Sequence, residues 1–462
     1  MSVRSYVTTL LCLVPMPLLA QTIDTTAINA GFARYTTDAS PGCAVGIARG
    51  ADVLYAHGYG LANLEDGVAI TPNTVFEAGS VSKQVTAAAV LLLAQRGFLS
   101  LDDNILRFFP ELPDLGTPIT VRNLMQHTSG LRDWGAVAEL EGWPRGTRTV
   151  THSDVLAILA RQTRLNHPVG ARFSYTNSGY NLMVMLVERV TGQSFPAFTQ
   201  REFFTPLGLT HTQWRDDYAR VVPGRAQAYA RDGDHWTLDM PFENAYGNGG
   251  LLTTVGDLLR WTEAIAEHRI GTPDVSTVME TPGHLADGKA IEYGGGLFMT
   301  SFRGVREISH SGATAGYRAF LAQYPDSRYQ VAVLCNNGAA NAIVLAHNAI
   351  DPLVGFAPPP PAAAPPPRTA PPSTPSRRAM AAVTGAWVSA EAAAHWSIAL
   401  QGDTLRVTRR PGDVIALRPL AADQFTGDGL TLRFERNPRG TISGLTVDIP
   451  RALGVRFVRA KP

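Results

Sequence analysis

Ser80 and Lys83 are the residues of this chain whose types and spacing most directly indicate chemistry. At the start of a helix they would lie on one face, one turn apart. A serine hydroxyl becomes an effective nucleophile only when a neighbouring base removes its proton. A lysine amine can be that base where burial and a helix N-terminus lower its pKa. The pair predicts nucleophilic catalysis; a capping serine with a solvated lysine is the alternative interpretation.

The rarity of lysine strengthens this prediction. Of the 40 basic residues among 462, only three are lysines, at positions 83, 289 and 461. A chain that places arginine at nearly every basic position is expected to keep lysine where arginine would fail. Arginine fails as a base because it does not lose its proton in proteins. Lys83 is therefore the candidate base.

Tyr175 and Asn177 form a second candidate group, in a loop before a predicted helix. A tyrosine phenol beside a lysine can move a proton between nucleophile and leaving group. An asparagine amide is both donor and acceptor, so it can hold the lysine and a substrate amide. The alternative interpretation is an ordinary surface turn.

A third group, His310, Gly312 and Ala313, ends a predicted strand. A glycine there lets a substrate backbone lie against the strand edge. The Ala313 amide would then join the Ser80 amide in an oxyanion hole. His310 would contact a carboxylate or carbonyl of the ligand, or assist proton transfer. A plain strand-ending turn is the alternative.

Placing these groups together requires a helix, a loop and a strand. Ser80–Arg96 is predicted as a helix with Gly97 as its cap. Apolar and alternating runs separated by short turns predict strands at 42–48, 52–59, 305–310, 317–324 and 329–335, the last three linked at 312–316 and 325–327. The intervening region is mostly helical in pattern. We therefore predict an α+β fold, in which helices flank an antiparallel sheet beside a mostly helical subdomain.

A proline-rich segment, 356–379, divides the chain. It holds ten of the 32 prolines, which predicts a semi-rigid spacer. It separates a large domain, 22–355, from a small one, 380–462. Short alternating pieces in the small domain predict an all-β barrel or sandwich without a catalytic cluster. We expect this domain to gate the cleft or to mediate a homo-oligomer.

The N-terminus, 1–20, has the pattern of a secretory signal peptide, with Arg4 before a short apolar run and Ala20 at a plausible cleavage point. The run is too short to span a bilayer. We predict a periplasmic or secreted protein with no membrane span after signal removal; an uncleaved anchor is the alternative. Cys43 and Cys335 would remain, as buried free thiols or, if their strands are neighbours, as a disulfide.

Composition and missing motifs exclude several classes of function. A formal net charge of +1 argues against a nucleic-acid or anionic-membrane binder. The chain lacks a G-x-S-x-G elbow and a glycine-rich phosphate loop, which disfavours an α/β-hydrolase and a nucleotide enzyme. Its histidines are not at metal-ligand spacing, and His127 is interpreted as a residue that shapes its loop. We predict no metal, no cofactor and no nucleic-acid partner.

Taken in order, the three groups resemble the serine β-lactamase and penicillin-binding superfamily, in which S-x-x-K is a catalytic motif. The chain looks most like the class C branch, which also holds D-aminopeptidases, DD-peptidases and family-eight esterases. The resemblance covers about 25–350, and its segments are FEAGSVSKQVTAAAVLLLAQRG, ITVRNLMQHTSGLRD, PVGARFSYTNSGYNLM, GNGGLLTTVGDLLRW and ISHSGATAGYRAF. The β-rich tail resembles the extra C-terminal domain of some D-aminopeptidases.

The resemblance implies that Ser80 is the nucleophile, Lys83 its activating partner and Tyr175 the acid/base. It also implies that Asn177 positions the substrate, and that the amides of Ser80 and Ala313 form the oxyanion hole. One departure matters, because the third motif reads H-S-G where β-lactamases and transpeptidases usually carry K-T-G. Loss of that lysine weakens the grip on the carboxylate of a penicillin, and the histidine is similar to the D-aminopeptidase pattern.

We therefore expect an exported serine hydrolase that cleaves amide or peptide bonds of a small-molecule or peptide substrate through an acyl-enzyme. It would act in the manner of a D-aminopeptidase or DD-peptidase. The alternative is a small-ester carboxylesterase of the same fold, with β-lactamase activity weak or absent. A penicillin-binding receptor that acylates without turnover and a scaffold with a silent site are different classes. Stereochemical preference and oligomeric state stay open.

Overall fold

The computed structural model describes residues 23–35, 39–143, 146–359 and 375–460. The predicted signal peptide, 1–20, lies outside these residues, as does most of the predicted spacer at 356–379. The described residues form a larger part with a central sheet and a smaller part that is a closed barrel.

The central sheet of the larger part joins segments from both of its ends. The strands of this part are β1 (Cys43–Arg49), β2 (Asp52–Tyr59), β3 (Leu61–Asn63), β4 (Val68–Ala69), β5 (Phe76–Glu77), β6 (Gln213–Trp214), β7 (Tyr229–Asp232), β8 (His235–Leu238), β9 (Leu251–Thr253), β10 (Phe298–Phe302), β11 (Val305–Thr314), β12 (Tyr317–Tyr324) and β13 (Tyr329–Cys335). Six of them form an antiparallel sheet in the order β10-β11-β12-β13-β1-β2. The predicted α+β fold with an antiparallel sheet is confirmed.

Helices cover both faces of this sheet. The α-helices of the described residues are α1 (Thr25–Phe32), α2 (Lys83–Gln95), α3 (Val121–Met125), α4 (Trp134–Glu139), α5 (His152–Ala160), α6 (Ser178–Thr191), α7 (Phe195–Thr199), α8 (Val255–Ala266), α9 (Ser276–Met279), α10 (Ala342–Val354) and α11 (Arg377–Ala382). Val45 and Ile47 of β1 pack in one core with α1 and α10. Ala44 and Ala48 face the other core, which includes α8. Alternating side chains thus explain why β1 is apolar throughout.

Cys43 and Cys335 lie directly opposite each other on β1 and β13 and are joined by a disulfide. The sequence left this pairing open because it depended on which strands are neighbours. The bond links positions 292 residues apart, and both cysteines are fully buried. It therefore ties the two ends of the larger part together inside its core.

Two predicted elements differ from the structure near the candidate site. The predicted helix from Ser80 begins instead as a 3-10 turn, Gly79–Ser82, which continues into α2 at Lys83. The predicted link at 312–316 is mostly strand, because β11 runs on to Thr314 and pairs with β12 as far as Tyr317. Only two residues remain for the hairpin turn, and cross-strand pairing overrides the local turn signal of the glycines.

The C-terminal part is a closed barrel rather than a sandwich. Its strands are β14 (Gly385–Ser389), β15 (Ala394–Gln401), β16 (Thr404–Arg410), β17 (Asp413–Ala421), β18 (Gln424–Gly427), β19 (Leu430–Arg436), β20 (Ile442–Ile449) and β21 (Ala452–Arg459). Alternate residues point inward, as in β15 and β19, and large side chains such as Trp387 and Phe434 are in contact inside. The barrel interior is therefore a packed core.

No helix among the described residues is both long and apolar enough to cross a membrane.

Candidate active site

Two glycines let the turn carrying Ser80 and the strand carrying Ala313 approach backbone to backbone. Gly79 has a φ of +51°, and a Cβ there would lie 2.7 Å from the Ala313 nitrogen. A Cβ on Gly312 would lie 2.0 Å from the carbonyl oxygen of Ala78. Neither position has room for a side chain. As a result, Ser80 and Ala313 border the same cavity.

Lys83 is fully buried, and three oxygens surround its Nζ. Nζ lies 3.2 Å from Ser80 Oγ, 2.9 Å from Asn177 Oδ1 and 2.7 Å from the carbonyl oxygen of Asn248. The centroid of the Tyr175 ring is 4.8 Å from the same atom. The lysine is thus enclosed next to the hydroxyl that it would activate.

Burial holds the pKa of Lys83 well below its ordinary value of 10.5; the Asp133 carboxylate opposes this effect, and the Arg451 charge adds to it. A neutral amine has two N–H donors and one lone pair. The two donors match the two amide carbonyl oxygens beside Nζ, which leaves the lone pair for the Ser80 hydroxyl. This is the arrangement of a base placed to deprotonate a serine.

Tyr175 keeps its proton at neutral pH. Burial raises the pKa of its phenol above the ordinary 10.0, and the Ser80 hydroxyl and the Arg451 charge offset this only in part. The phenol oxygen is buried, and within the described residues no group completes a hydrogen bond with it. A neutral phenol in this position can donate a proton to a leaving group, whereas the role of base falls to the lysine.

Asn177 is oriented by Asp133, which sequence analysis missed. The backbone N–H of Asn177 donates to Asp133 Oδ2 at 2.7 Å. Asp133 Oδ1 accepts from the amides of Gly135 and Ala136 and so caps α4. An aspartate just before a short helix was the only local signal. Its capping role is visible in sequence, but its contact with Asn177 depends on the fold.

Six of the seven predicted site residues line one cavity of about 660 Å³: Ser80, Tyr175, Asn177, His310, Gly312 and Ala313. The seventh, Lys83, lies behind Ser80 in the buried layer. A second cavity of about 400 Å³ opens on another side of Ser80, with Trp134 and Glu243 in its lining. Ser80, Asn177 and Ala313 line both cavities.

A family model described as Beta-lactamase matches residues 28–355, which is well over half of the chain. The chain belongs to the beta-lactamase family. This match and the similarities below confirm the predicted serine β-lactamase and penicillin-binding superfamily.

Several curated proteins are similar to this chain. Penicillin-binding protein 4* of Bacillus subtilis (strain 168) is 28% identical over 310 residues, covering 63% of this chain and 66% of that protein. A D-aminopeptidase of Gluconobacter oxydans (strain 621H) is 28% identical over 327 residues, covering 69% and 60%. The chain thus spans less than two thirds of the length of these curated relatives.

The octameric penicillin-binding protein homologue from Pyrococcus abyssi shares the fold. Its TM-score is 0.64 at 23% identity, and the alignment covers 95% of this chain and 100% of that one. Such coverage extends beyond the beta-lactamase region. Together with the observed barrel, it confirms the predicted extra β domain at the C-terminus.

The resemblance implies that His310 stands where β-lactamases usually carry the lysine of K-T-G. It is buried, its Nδ1 lies 2.6 Å from the Ser311 carbonyl oxygen, and its Nε2 lies 3.2 Å from the Tyr293 hydroxyl. Burial lowers the pKa of His310 to about 3, and the nearby Lys83 adds to the effect. The imidazole is therefore neutral with both nitrogens engaged, and it brings no positive charge to the cavity.

Arg451, from the turn between β20 and β21, lines the larger cavity. Its Cζ lies 5.2 Å from the centroid of the Tyr175 ring. Its carbonyl oxygen accepts from the Asp133 amide at 3.0 Å and from Asn166 Nδ2 at 2.8 Å. Sequence analysis predicted no functional residue in the barrel. No local signal marks Arg451, because its carbonyl oxygen bonds to Asp133 and Asn166, which are both far away in the sequence.

His127 packs behind the site. Its φ is +56°, and its ring centroid lies 4.3 Å from the ring centroid of Tyr175. Its Nδ1 accepts a hydrogen bond from the Thr176 amide at 3.2 Å. It supports the tyrosine loop from the buried side, in line with a residue that shapes its surroundings. In the described part of the chain, no group of three or more His, Cys, Asp and Glu side chains is arranged to hold a metal ion.

Proposed function

We propose that the chain is an exported serine hydrolase that cleaves amide or peptide bonds through an acyl-enzyme on Ser80. The observation that carries the proposal is the buried Lys83 Nζ, 3.2 Å from Ser80 Oγ, with its other neighbours being hydrogen-bond acceptors. A solvated lysine on a helix surface would keep its ordinary pKa and its proton.

In the proposed acylation, Lys83 takes the proton of Ser80 while Oγ attacks the substrate carbonyl carbon. The amides of Ser80 and Ala313 stabilise the oxyanion. Tyr175 gives a proton to the leaving nitrogen and regains one from the lysine, so the C–N bond breaks and the acyl group stays on Ser80. Water, deprotonated in the same manner, then attacks the ester and releases the acid.

The comparisons support amide chemistry, because one of the relatives is named a D-aminopeptidase. The H-S-G motif supports weak or absent β-lactamase activity. A neutral His310 cannot replace the lysine that grips a penicillin carboxylate. Arg451 of the barrel accepts a hydrogen bond from the amide of Asp133, which lies beside the candidate site. This contact favours a role of the barrel in shaping the cleft over a role confined to assembly.

We further propose a periplasmic or secreted location. The Cys43–Cys335 disulfide supports it, because disulfides persist in oxidising compartments. The predicted signal peptide at 1–20 is consistent with this location. Fractionation of cells that express the full chain, with N-terminal sequencing of the exported protein, tests the proposal.

The function is tested with a substrate panel on the purified protein and its Ser80→Ala variant. The panel holds D- and L-aminoacyl amides, short-chain nitrophenyl esters and a chromogenic cephalosporin. We expect the wild type to turn over amides and to show an acyl adduct in intact-mass spectra after rapid acid quenching. The variant lacks the attacking oxygen and should show neither.

Each other outcome selects an alternative. Hydrolysis of esters with amides untouched would favour the carboxylesterase. A stoichiometric burst without turnover would favour the receptor. Full activity of the Ser80→Ala variant would exclude this site.

A further inference from the structure

We propose that Arg215 is a positioning residue of the proposed reaction. It would hold in place both the turn that carries Ser80 and the carbonyl oxygen that contacts Lys83. Arg215 is not among the residues that line the two cavities around Ser80. The inference rests on the proposed function, because it names a further residue on which that reaction depends.

The side chain of Arg215 binds the segment that leads into Ser80. Arg215 directly follows β6, and its guanidinium reaches past β9 to Glu77 of β5. Nε lies 2.9 Å from Glu77 Oε2 and Nη2 lies 3.2 Å from Glu77 Oε1, so the contact is bidentate. Only Ala78 and Gly79 separate Glu77 from Ser80. The orientation of Glu77 therefore bears directly on the turn that carries the proposed nucleophile.

The backbone of Arg215 holds a second segment, which supplies an oxygen to Lys83. Its N–H donates to the Gly250 carbonyl oxygen at 2.8 Å. Two residues before Gly250, the Asn248 carbonyl oxygen lies 2.7 Å from Lys83 Nζ. A Cβ on Gly250 would lie 3.7 Å from Arg215 Nη2, so the guanidinium passes close beside this backbone. One residue thus contacts both segments that hold Ser80 and Lys83 Nζ in place.

Arg215 and Glu77 are excluded from solvent, with side-chain exposures of 1% and 0%. Arg225 contributes a weaker contact, because its Nη2 lies 3.4 Å from Glu77 Oε2. A buried ion pair adds little net stability compared with apolar side chains of similar volume. It does add direction, because two parallel N–H···O bonds fix a guanidinium and a carboxylate in one orientation. The pair therefore serves the geometry of the neighbouring turn more than the stability of the fold.

The two segments are also bonded to each other, so a shift of one reaches the other. The Ala78 amide donates to the Leu251 carbonyl oxygen at 2.8 Å, and the Leu251 amide donates to Ser82 Oγ at 3.0 Å. Loss of the Arg215 side chain would therefore move the Ser80 turn and the Asn248 carbonyl together. A misplacement of about 1 Å, caused by a substitution far from the reacting atoms, can lower a rate by about 10² fold.

The test compares the full-length wild type with Arg215→Met, Arg215→Lys and Glu77→Gln, on the substrate of the panel that the wild type turns over fastest. We expect Arg215→Met to lower kcat by about 10² fold. KM should stay within about threefold, because no contact with the substrate is removed. Arg215→Lys should recover part of kcat, since lysine keeps the charge but lacks the planar fork. Glu77→Gln weakens the same contact from the other side and should also lower kcat with KM retained.

A double-mutant cycle separates positioning from a general loss of structure. Because Arg215 acts through Ser80 and Lys83, Arg215→Met should change the residual rate of a Lys83→Met protein by less than about threefold. A smaller folded fraction would instead lower both rates by the same factor. Arg409→Met is the matched control, since Arg409 makes a bidentate contact with Asp413 in the barrel, at 2.8 and 3.2 Å. It should change kcat by less than about twofold in either background.

Other results have distinct meanings. Full kcat in both Arg215→Met and Glu77→Gln would overturn the proposal, and so would equal losses in the wild-type and Lys83→Met backgrounds. Circular dichroism establishes that each variant is folded, and if Arg215→Met is not, the same cycle is run with Glu77→Gln, which keeps the side-chain volume. A wild type that turns over no substrate of the panel and forms no Ser80 adduct would instead contradict the proposed function.

Discussion

At the scale of single residues, burial determines which protonation state each group of the site offers. The pKa of Lys83 is lowered, so the amine is a base. The pKa of Tyr175 is raised, so the phenol is an acid. The same desolvation keeps His310 neutral. Burial lowers the pKa of a cationic acid and raises the pKa of a neutral acid, and this difference supports the proposed proton-transfer roles of Lys83 and Tyr175.

We predict that Lys83→Met and Lys83→Arg each lower kcat by about 10² to 10⁴ fold, because both remove the base. In the wild type, kcat/KM should fall as pH drops through the lowered pKa of Lys83, since protonation occupies the lone pair. This acidic limb should lie well below pH 10.5, the ordinary lysine value. A pH–rate profile measures it.

Lys289→Met is the control for this experiment, because Lys289 is exposed in a turn. It should leave the profile unchanged. A wild-type rate that keeps rising to about pH 10 would mean that Lys83 titrates as a solvated lysine, which contradicts the proposed role.

At the scale of elements, the site depends on a close approach between the 3-10 turn before α2 and strand β11. Gly79 and Gly312 make this approach, and each faces backbone of the other element. The helix that follows adds the positive end of its dipole beside Ser80. The proposed nucleophile and the proposed oxyanion amides are thus positioned by backbone packing, which side-chain motifs alone do not reveal.

We predict that Gly312→Ala lowers both activity and stability. The new Cβ would lie 2.0 Å from the Ala78 carbonyl oxygen, so the strand and the turn must separate. Overpacking of this kind costs about 1–3 kcal/mol of unfolding free energy. We expect kcat/KM to fall more than tenfold because the two amides move apart. Urea unfolding and steady-state kinetics measure the two effects.

Gly256→Ala is the matched control, since a Cβ in that helix would meet nothing closer than 3.8 Å. It should leave activity unchanged and stability equal or higher. A Gly312→Ala protein with full activity would show that the observed contact of turn and strand is not required.

At the scale of the whole molecule, the barrel is bound to the loop that orients Asn177. The buried Arg132 guanidinium bonds to Glu391 at 3.0 Å and to the carbonyl oxygens of Leu453 and Gly454, both at 3.0 Å. Arg132 directly precedes Asp133 in the chain. A substitution that weakens the contacts of Arg132 with the barrel is therefore expected to shift Asp133 and, with it, Asn177.

We predict that Glu391→Gln destabilises the protein by about 3–5 kcal/mol, because it leaves the buried Arg132 charge without its partner. Burial acts to raise the pKa of Glu391, but hydrogen bonds from Thr163 and Arg456 and the Arg132 charge outweigh it, and the pKa is lowered. A lowered carboxyl pKa stabilises the fold above the ordinary value of 4.5. This contribution disappears as pH falls through the folded-state pKa.

Urea unfolding between pH 3 and 7 measures the predicted loss, and the variant should lose stability less steeply than the wild type as pH falls. Asp403→Asn is the control, because its pair with Arg377 is exposed on both sides. It should change the unfolding free energy by less than about 1 kcal/mol. Equal effects of the two variants would contradict a buried anchor between barrel and site.

The sequence by itself predicted most features that have a local or periodic signal, although cross-strand pairing overrode the local turn signal at 312–316. Lysine scarcity and the spacing to Ser80 made Lys83 a candidate, and short motifs made Tyr175, Asn177 and the third group candidates. Alternation predicted the antiparallel sheet and a β-rich tail, and the proline run indicated two parts. These signals lie within a few residues of each other, so no knowledge of packing is needed to find them.

Only the tertiary structure decided what depends on which distant segments meet. The pairing of β1 with β13 joined Cys43 to Cys335, and the close packing of β11 on the 3-10 turn brought Ala313 to Ser80. Barrel closure and docking placed Arg451 beside the tyrosine loop. The physical reason is that the burial of Lys83 and the contacts of Arg451 arise from long-range packing, which leaves no pattern in the neighbouring residues.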